Sequence, residues 1–342
     1  MSHSKFVPFS LAGDVSERLN NPRLPVVARE FHAATVQHST FQKGLEALAS
    51  THAMSGLEGA GMIIEGEPGL GKTTLLNRYV KDIYQLPEYQ PTDTLTPLPV
   101  LKVYVPGRPT VPRVIEKLLM ASHHVKISSR NTKTMESRLH TLIRNQGVEM
   151  IIFDEFQHLL RTEKYTHDTL NFLKVLADDY KLAIVFAGLP RGLDILKDHK
   201  EIEERLSFDR VTFQPFDITT ARNAQDYARY IKGLENKLEE IGVQCIALTE
   251  EVMLQRMLLA TQGKPRFINR LFMRLLIRLS DRKPLTLKEF EKTFESAPFN
   301  SHLGNFNPFN KQVKLSSIQA KQEYIDQQRN TSTADLKKGK RS

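Results

Sequence analysis

The sequence predicts an α/β fold: a parallel five-stranded sheet covered on both faces, carrying a nucleotide site, and followed by a small all-helical domain. Three observations predict it. Gly66-Glu67-Pro68-Gly69-Leu70-Gly71-Lys72-Thr73 matches the phosphate-binding loop pattern GxxxxGK[ST] in full. Short apolar runs alternate with helix-patterned stretches up to about residue 217, the signature of a parallel sheet. From about residue 219 onward the strand signals stop and only helical patterns remain.

Residues 1–38, rich in Pro, Asn and Arg without periodicity, read as an extended arm. Ser39 or Thr40 can cap a helix that carries Phe41, Leu45 and Leu48 along one face. Residues 61–65 form a short apolar strand, the phosphate loop follows, and 74–80 reads as the helix behind it. Pro87, Pro91, Pro97 and Pro99 make 85–99 a surface loop. Residues 100–105 are a strand, and helical patterns over 114–121 and 133–145 lead into the apolar run 148–155. Thr166 can cap a helix with Leu170, Leu173, Leu176 and Tyr180 on one side. Residues 182–188 are the next buried strand and 210–213 the fifth. Helices are expected at 219–241, 249–261, 265–281 and 286–295, the third studded with Arg266, Arg270, Arg274 and Arg278. The organisation expected is therefore an arm over 1–38, a nucleotide-binding domain over 39–217, a helical domain over 218–296 and a polar tail over 297–342. Residues 315–342 lack an apolar face long enough to pack, so disorder or folding on a partner is expected there.

The chemistry sits at two places. In the phosphate loop the glycines let the backbone curl until several N–H groups point at one phosphate, and the following helix adds its positive N-terminal end. Lys72 is placed to reach the β- and γ-phosphates and Thr73 to bind Mg²⁺, with Gly66, Pro68, Gly69, Leu70, Gly71 and Thr74 completing the cradle. The second place is Asp154-Glu155, two carboxylates at the end of a buried strand. Ligands of such sheets bind at the C-terminal ends of strands, so the pair is expected to face the same crevice as the loop. Asp154 is expected to hold Mg²⁺ through water and Glu155 to polarise the attacking water, which favours hydrolysis over passive binding. His158 either orients this acidic pair or is a surface helix residue.

Composition sets the limits. With 342 residues, 40% hydrophobic and 25% charged, the chain can build a substantial core. Its apolar runs stop well short of a membrane span, and Met1–Pro8 lacks the apolar stretch of a signal peptide, so a cytoplasmic protein with no membrane partner is expected. The single Cys245 rules out an intramolecular disulfide framework and, lying in an apolar stretch, reads as a core thiol.

A formal charge of +9 points to a polyanion partner, and part of it lies in the Lys/Arg-rich end over 337–341. A denser stretch holds Arg108, Arg113, Lys117, Lys126, Arg130, Lys133, Arg138 and Arg144 against only Glu116 and Glu136. Together with Lys102 these residues are candidates for phosphate-backbone contacts. No aromatic cluster accompanies them, which favours sequence-independent binding over base stacking. A solvated helix face is the alternative.

A phosphate loop and an Asp-Glu strand followed by a helical domain resemble an AAA+ ATPase: a P-loop NTPase core with a small all-helical lid. Ile151-Ile152-Phe153-Asp154-Glu155-Phe156-Gln157-His158-Leu159-Leu160, then Asn171-Phe172-Leu173-Lys174-Val175-Leu176, then Ala183-Ile184-Val185-Phe186-Ala187-Gly188, resemble the TniB/TnsC family of transposition ATPases. That family carries a DEIHNLL-like segment, a helix with an FLxxLKxL-like pattern, and a strand ending in a Gly-containing turn. The resemblance covers about residues 38–290. It implies ATP and Mg²⁺ as cofactors and an ATPase activity. It also implies that Arg205 is an arginine finger acting on the nucleotide of a neighbouring subunit. The family shows Arg-Phe where this chain has Arg205-Leu206, which leaves Arg210 as a second candidate. Gly263-Lys264-Pro265-Arg266 resembles the sensor-2 motif, which implies that Arg266 touches the phosphates of its own chain. One departure stands out: Phe186-Ala187-Gly188-Leu189-Pro190 offers no polar sensor-1 side chain, which suits slow turnover used as a timer.

The resemblance further implies head-to-tail oligomers, rings or filaments, on double-stranded DNA. Such an assembly would mark a target for a transposase, dismantle on hydrolysis, and meet the transposase and a target-selection protein as partners. Two other readings stay open. One is a helicase loader or replication initiator, disfavoured because 296–342 is too short and polar for a winged-helix domain. The other is a nucleotide-gated scaffold that ignores DNA.

Overall fold

The structure, a computed structural model, describes residues 24–325 apart from 34–35, 58–59, 93–94, 108, 123–130, 162, 191–208 and 280–282. In chain order its elements are α1 Val26–Ala33, α2 Ser39–Ala53, β1 Gly61–Gly66, α3 Lys72–Ile83, β2 Val100–Tyr104, α4 Val111–Ala121, α5 Thr132–Gln146 and β3 Met150–Asp154. There follow α6 Glu163–Tyr180, β4 Ala183–Gly188, β5 Asp209–Phe213, α7 Ala221–Glu240, α8 Glu251–Thr261, α9 Pro265–Leu279 and α10 Leu287–Glu295. They fall into two compact units, divided between Gln214 and Pro215, with the described residues from 24 to 38 belonging to the second.

In the first unit five strands make one parallel sheet in the order β2-β3-β4-β1-β5. Each central strand is buried on both sides, which is why it reads as an unbroken apolar run rather than an alternating one. The period of two still sorts the side chains. Ile151, Phe153, Ile184 and Phe186 face a core built with Leu118 and Leu119 of α4, Leu139 and Ile143 of α5, and Leu170 and Leu173 of α6. Met150, Ile152, Ala183, Val185 and Ala187 face the other core, built with Phe41 and Leu48 of α2 and Leu75, Leu76 and Val80 of α3. At roughly 1.5–3 kcal/mol for each large apolar side chain removed from water, these two layers are the main source of the sheet's stability.

Helix ends follow local chemistry. Asn131 Oδ1 accepts from the backbone N–H of Lys133 at 3.0 Å, and Gly147, in the left-handed conformation at φ 63°, ends α5. Thr166, expected to cap α6, does not: the helix already starts at Glu163, and the Thr166 hydroxyl donates to the Leu159 carbonyl at 2.8 Å. The turn Phe156–Arg161 supplies that acceptor and so sets the start of the helix.

The second unit is helical and larger than its strand-free stretch. Residues expected to lie in an extended arm include α1, whose Val27, Ala28 and Phe31 are buried. Phe31 meets Phe272 of α9 at 5.6 Å between ring centroids, and the Lys237 ammonium lies 4.4 Å from the Phe31 ring centre. Part of the expected polar tail is packed as well. Phe299, Leu303, Phe309 and Ile318 are buried in the same core, and a helical segment runs through 315–325. Arg256 of α8 pins the chain that leads into that segment, donating to the carbonyls of Pro308, Asn310 and Val313, the last two at 2.9 Å. Among the described residues no helix is long and apolar enough to cross a membrane.

Candidate nucleotide site

The site grows from the C-terminal ends of β1 and β3. β4 lies between them, so the two ends stand two strand spacings, about 10 Å, apart. β1 delivers the phosphate loop. Gly66 must be glycine because a Cβ there would lie 2.6 Å from the Phe213 carbonyl oxygen of β5. Gly71 takes φ 106°, a left-handed value open to glycine, and in that conformation starts α3. Leu70 is buried in the core beneath the loop, which fixes the loop to the sheet. Lys72, only 8% exposed, folds back over the loop and donates to the carbonyls of Gly66 at 2.6 Å and Glu67 at 3.1 Å. A charged ammonium is thus held among loop oxygens at the start of a helix, where a phosphate would find both a cation and the helix dipole. Thr73 is partly exposed and Thr74 exposed at the same helix start.

β3 delivers the acidic pair. Asp154 is 1% exposed. Its Oδ1 accepts from the Glu155 backbone N–H at 3.0 Å, while Oδ2 is buried with no hydrogen-bond partner. The ammonium of Lys102 lies 3.5 Å from Oδ2, which balances its charge without filling its acceptor position. A buried carboxylate oxygen with an open acceptor position suits a cation, so Asp154 fits as a ligand of Mg²⁺. Glu155 is half-buried with φ 59°, and its carboxylate accepts from Gln157 Nε2. His158 has a buried Nδ1 without a hydrogen-bond partner, and its backbone N–H donates to the Glu155 carbonyl at 3.0 Å. Its contact with this pair is therefore through the backbone.

Lys102, read as a candidate DNA contact, is corrected by the structure. Its side chain is 5% exposed and donates to Asn77 Oδ1 of α3 at 2.5 Å beside Asp154. Burial pulls its pKa down, and the Asp154 charge pushes it back up. A strand residue alternates between faces, and this Lys falls on the face turned to the site. Arg113, Lys117 and Lys133 of α4 and α5 are exposed, as is Arg144, whose guanidinium lies 5.6 Å from the Tyr180 ring centre. Arg138 is half-buried. Arg108, Lys126 and Arg130 lie outside the described residues, and so does Arg205. Arg210, the second finger candidate, donates to Glu65 of its own chain at 2.9 Å, and Thr212 donates to the same carboxylate at 2.7 Å.

In the second unit Arg266 is exposed in the first turn of α9. Gly263, just before it, has φ 65°, and a Cβ there would meet the Phe216 carbonyl oxygen at 2.0 Å. The Phe216 N–H donates to the Gly263 carbonyl at 2.8 Å, so the two backbones touch directly.

Sequence reasoning missed Asn77 and Gln157 and gave Lys102 a different role. Their signal, polar side chains on β2, on α3 and after β3, is too common to single them out without the neighbours that the sheet order supplies.

The family described as bacterial TniB protein matches residues 26–216. No curated protein matches the chain. Among solved structures, the chain is similar to the ORC2 protein of Aeropyrum pernix in ADPNP–ADP complexes, with a TM-score of 0.54 and 15% identity over 81% of this chain and 70% of that one. It is similar to Cdc6p from Pyrobaculum aerophilum, with a TM-score of 0.52 and 13% identity over 79% and 71%. It also resembles Drosophila ORC bound to DNA, with a TM-score of 0.51 and 15% identity over 86% and 68%. At these identities the likeness establishes the fold alone: a parallel α/β core followed by a helical domain.

Proposed function

Because the chain belongs to the TniB family, we propose that it is an ATP-dependent, DNA-binding regulator of transposition. It binds ATP with Mg²⁺, assembles head to tail on duplex DNA, marks the target for a transposase and comes apart as ATP is hydrolysed. The observation that carries the nucleotide part is the union, on one sheet, of Lys72 folded over the loop 66–73 with the buried Asp154 and its neighbour Glu155. The Aeropyrum ORC2 complexes with ADPNP and ADP support an adenine nucleotide in this fold.

The roles follow from the chemistry of the side chains. Gly66 to Thr74 would surround the phosphates, with Lys72 against their negative charge. Asp154 and Thr73 would hold Mg²⁺, which neutralises phosphate charge when bound. Glu155 would take the proton of the attacking water. Arg205 of a neighbouring subunit and Arg266 of the same chain would add positive charge to the γ-phosphate. Turnover is slow, since β4 ends in Ala187-Gly188 without a polar side chain. Exposed Arg113, Lys117 and Lys133 supply cations for DNA phosphates without base readout.

A second reading, a replication initiator or helicase loader, draws on the likeness to ORC and Cdc6 structures. Electron microscopy of the protein with duplex DNA, with and without a non-hydrolysable ATP analogue, tests the proposal. Filaments or stacked rings on DNA only with nucleotide are expected. Bare DNA and monomers in both samples would overturn the DNA-borne assembly and leave a scaffold.

A further inference from the structure

The end of β4 brings no polar side chain to the site, yet Glu155 is anchored. Gln157, in the turn after β3, donates from Nε2 to Glu155 Oε2, and its Oε1 accepts from the backbone N–H of Leu189 at 3.1 Å. The direction of the amide follows from its neighbours. A backbone N–H can only donate and a carboxylate can only accept, so the amide oxygen faces Leu189 and the nitrogen faces Glu155. Gly188 makes this approach possible. A Cβ at that position would lie 2.6 Å from Gln157 Oε1 and 3.3 Å from the backbone nitrogens of Phe156 and Gln157. Glu155 itself sits at φ 59°, a left-handed conformation that disfavours a residue with a Cβ. The turn holds it there, since its N–H donates to Asp154 Oδ1 at 3.0 Å and its carbonyl accepts from His158 N–H at 3.0 Å.

We propose that Gln157 is the positioning residue of Glu155: its amide ties the carboxylate to the backbone at the end of β4, so the turn after β3 provides the polar anchor that β4 lacks. This rests on the role of Glu155 as the base under Proposed function. Holding one carboxylate oxygen removes rotation from the group that must meet the attacking water, and misplacement of such a group by about 1 Å can cost about a hundredfold in rate. Gly188 is then part of the same device, because it admits the amide.

The test is steady-state ATP turnover in the presence of duplex DNA, paired with titration of a fluorescent ATP analogue. Gln157→Ala is expected to lower kcat by about tenfold to a hundredfold while the affinity for the analogue stays unchanged. Gln157→Glu keeps the shape, removes the donor and sets a second carboxylate against Glu155; it is expected to lose at least as much. Gly188→Ala, which displaces the amide without deleting it, is expected to show the same split between kcat and binding. The double variant Glu155→Gln with Gln157→Ala is expected to match Glu155→Gln alone. Wild-type kcat in Gln157→Ala and Gln157→Glu would overturn the proposal, as would a further loss in the double variant. The outcomes separate from those of the parent reading. Wild-type turnover by Glu155→Gln would remove Glu155 as the base, whereas an inactive Glu155→Gln beside a fully active Gln157→Ala would sink the positioning role alone.

Discussion

Lys72 and Lys102 are both buried lysines near one site, and they answer to different partners. Lys72 donates to carbonyl oxygens of its own loop, groups that a phosphate can replace as acceptors. Lys72→Ala removes that cation without opening the core. It is expected to weaken nucleotide binding by a hundredfold or more, on the order of the 3 kcal/mol of a charge-assisted contact, with an unchanged unfolding midpoint. Equilibrium titration with a labelled nucleotide and a urea melt on the same preparation check both halves. Lys102 instead balances the buried charge of Asp154 at 3.5 Å. Deleting one partner of a buried pair leaves the other uncompensated, so Lys102→Ala is expected to cost about 3 kcal/mol or more of stability. Lys117→Ala, at an exposed position of α4, is expected to stay within about 0.5 kcal/mol of the parent in the same denaturation series.

At the scale of elements, strands were the easiest to read and short packed helices the hardest. Residues 148–154 and 182–188 are apolar runs of strand length bounded by polar residues, and little else fits that pattern. α1 has eight residues, too few for a periodicity to stand out, although Pro25 before it and the Val27–Phe31 spacing of four are the marks it does carry. Its contribution comes from the neighbours it finds. Phe31, 1% exposed against Phe272 and Lys237, is expected to lose about 3–5 kcal/mol of the stability of the second unit on change to Ala. Chemical denaturation followed by far-ultraviolet dichroism reads this loss. A variant as stable as the parent would show that α1 only rests on the surface.

At the scale of the whole molecule, pH reports on a half-buried histidine of the second unit. His38 packs edge-on against Phe216 and Tyr230 at 5.2 and 6.0 Å between centroids, and burial lowers its pKa from 6.5 to about 4, opposed by the Asp226 charge. Its folded value lies below its unfolded one. Above about pH 6.5 the ring is neutral in both states, and the stability is fully present. As the pH falls towards about 4, the unfolded chain takes up a proton that the folded one refuses, so stability is lost across that window. The loss is at most about 3 kcal/mol, less for a ring that is only partly buried. Urea melts between pH 7 and pH 4 are expected to show this decline in the parent and a flatter profile in His38→Leu. The phosphate-loop motif, the sheet and the helices that follow it were legible in the chain because each is written in contiguous residues: a loop of eight, strands of five or six, helices of nine to twenty. By itself the sequence determined where the phosphate-loop motif stands and which strands would be buried on both faces. Only the tertiary structure decided that Lys102 turns inward to Asp154, that Gln157 ties Glu155 to Leu189, and that residues 26–33 and 299–318 join the helical core. The reason is physical: those contacts join residues distant in the chain or depend on which face of an element is covered, and local propensity carries no record of either.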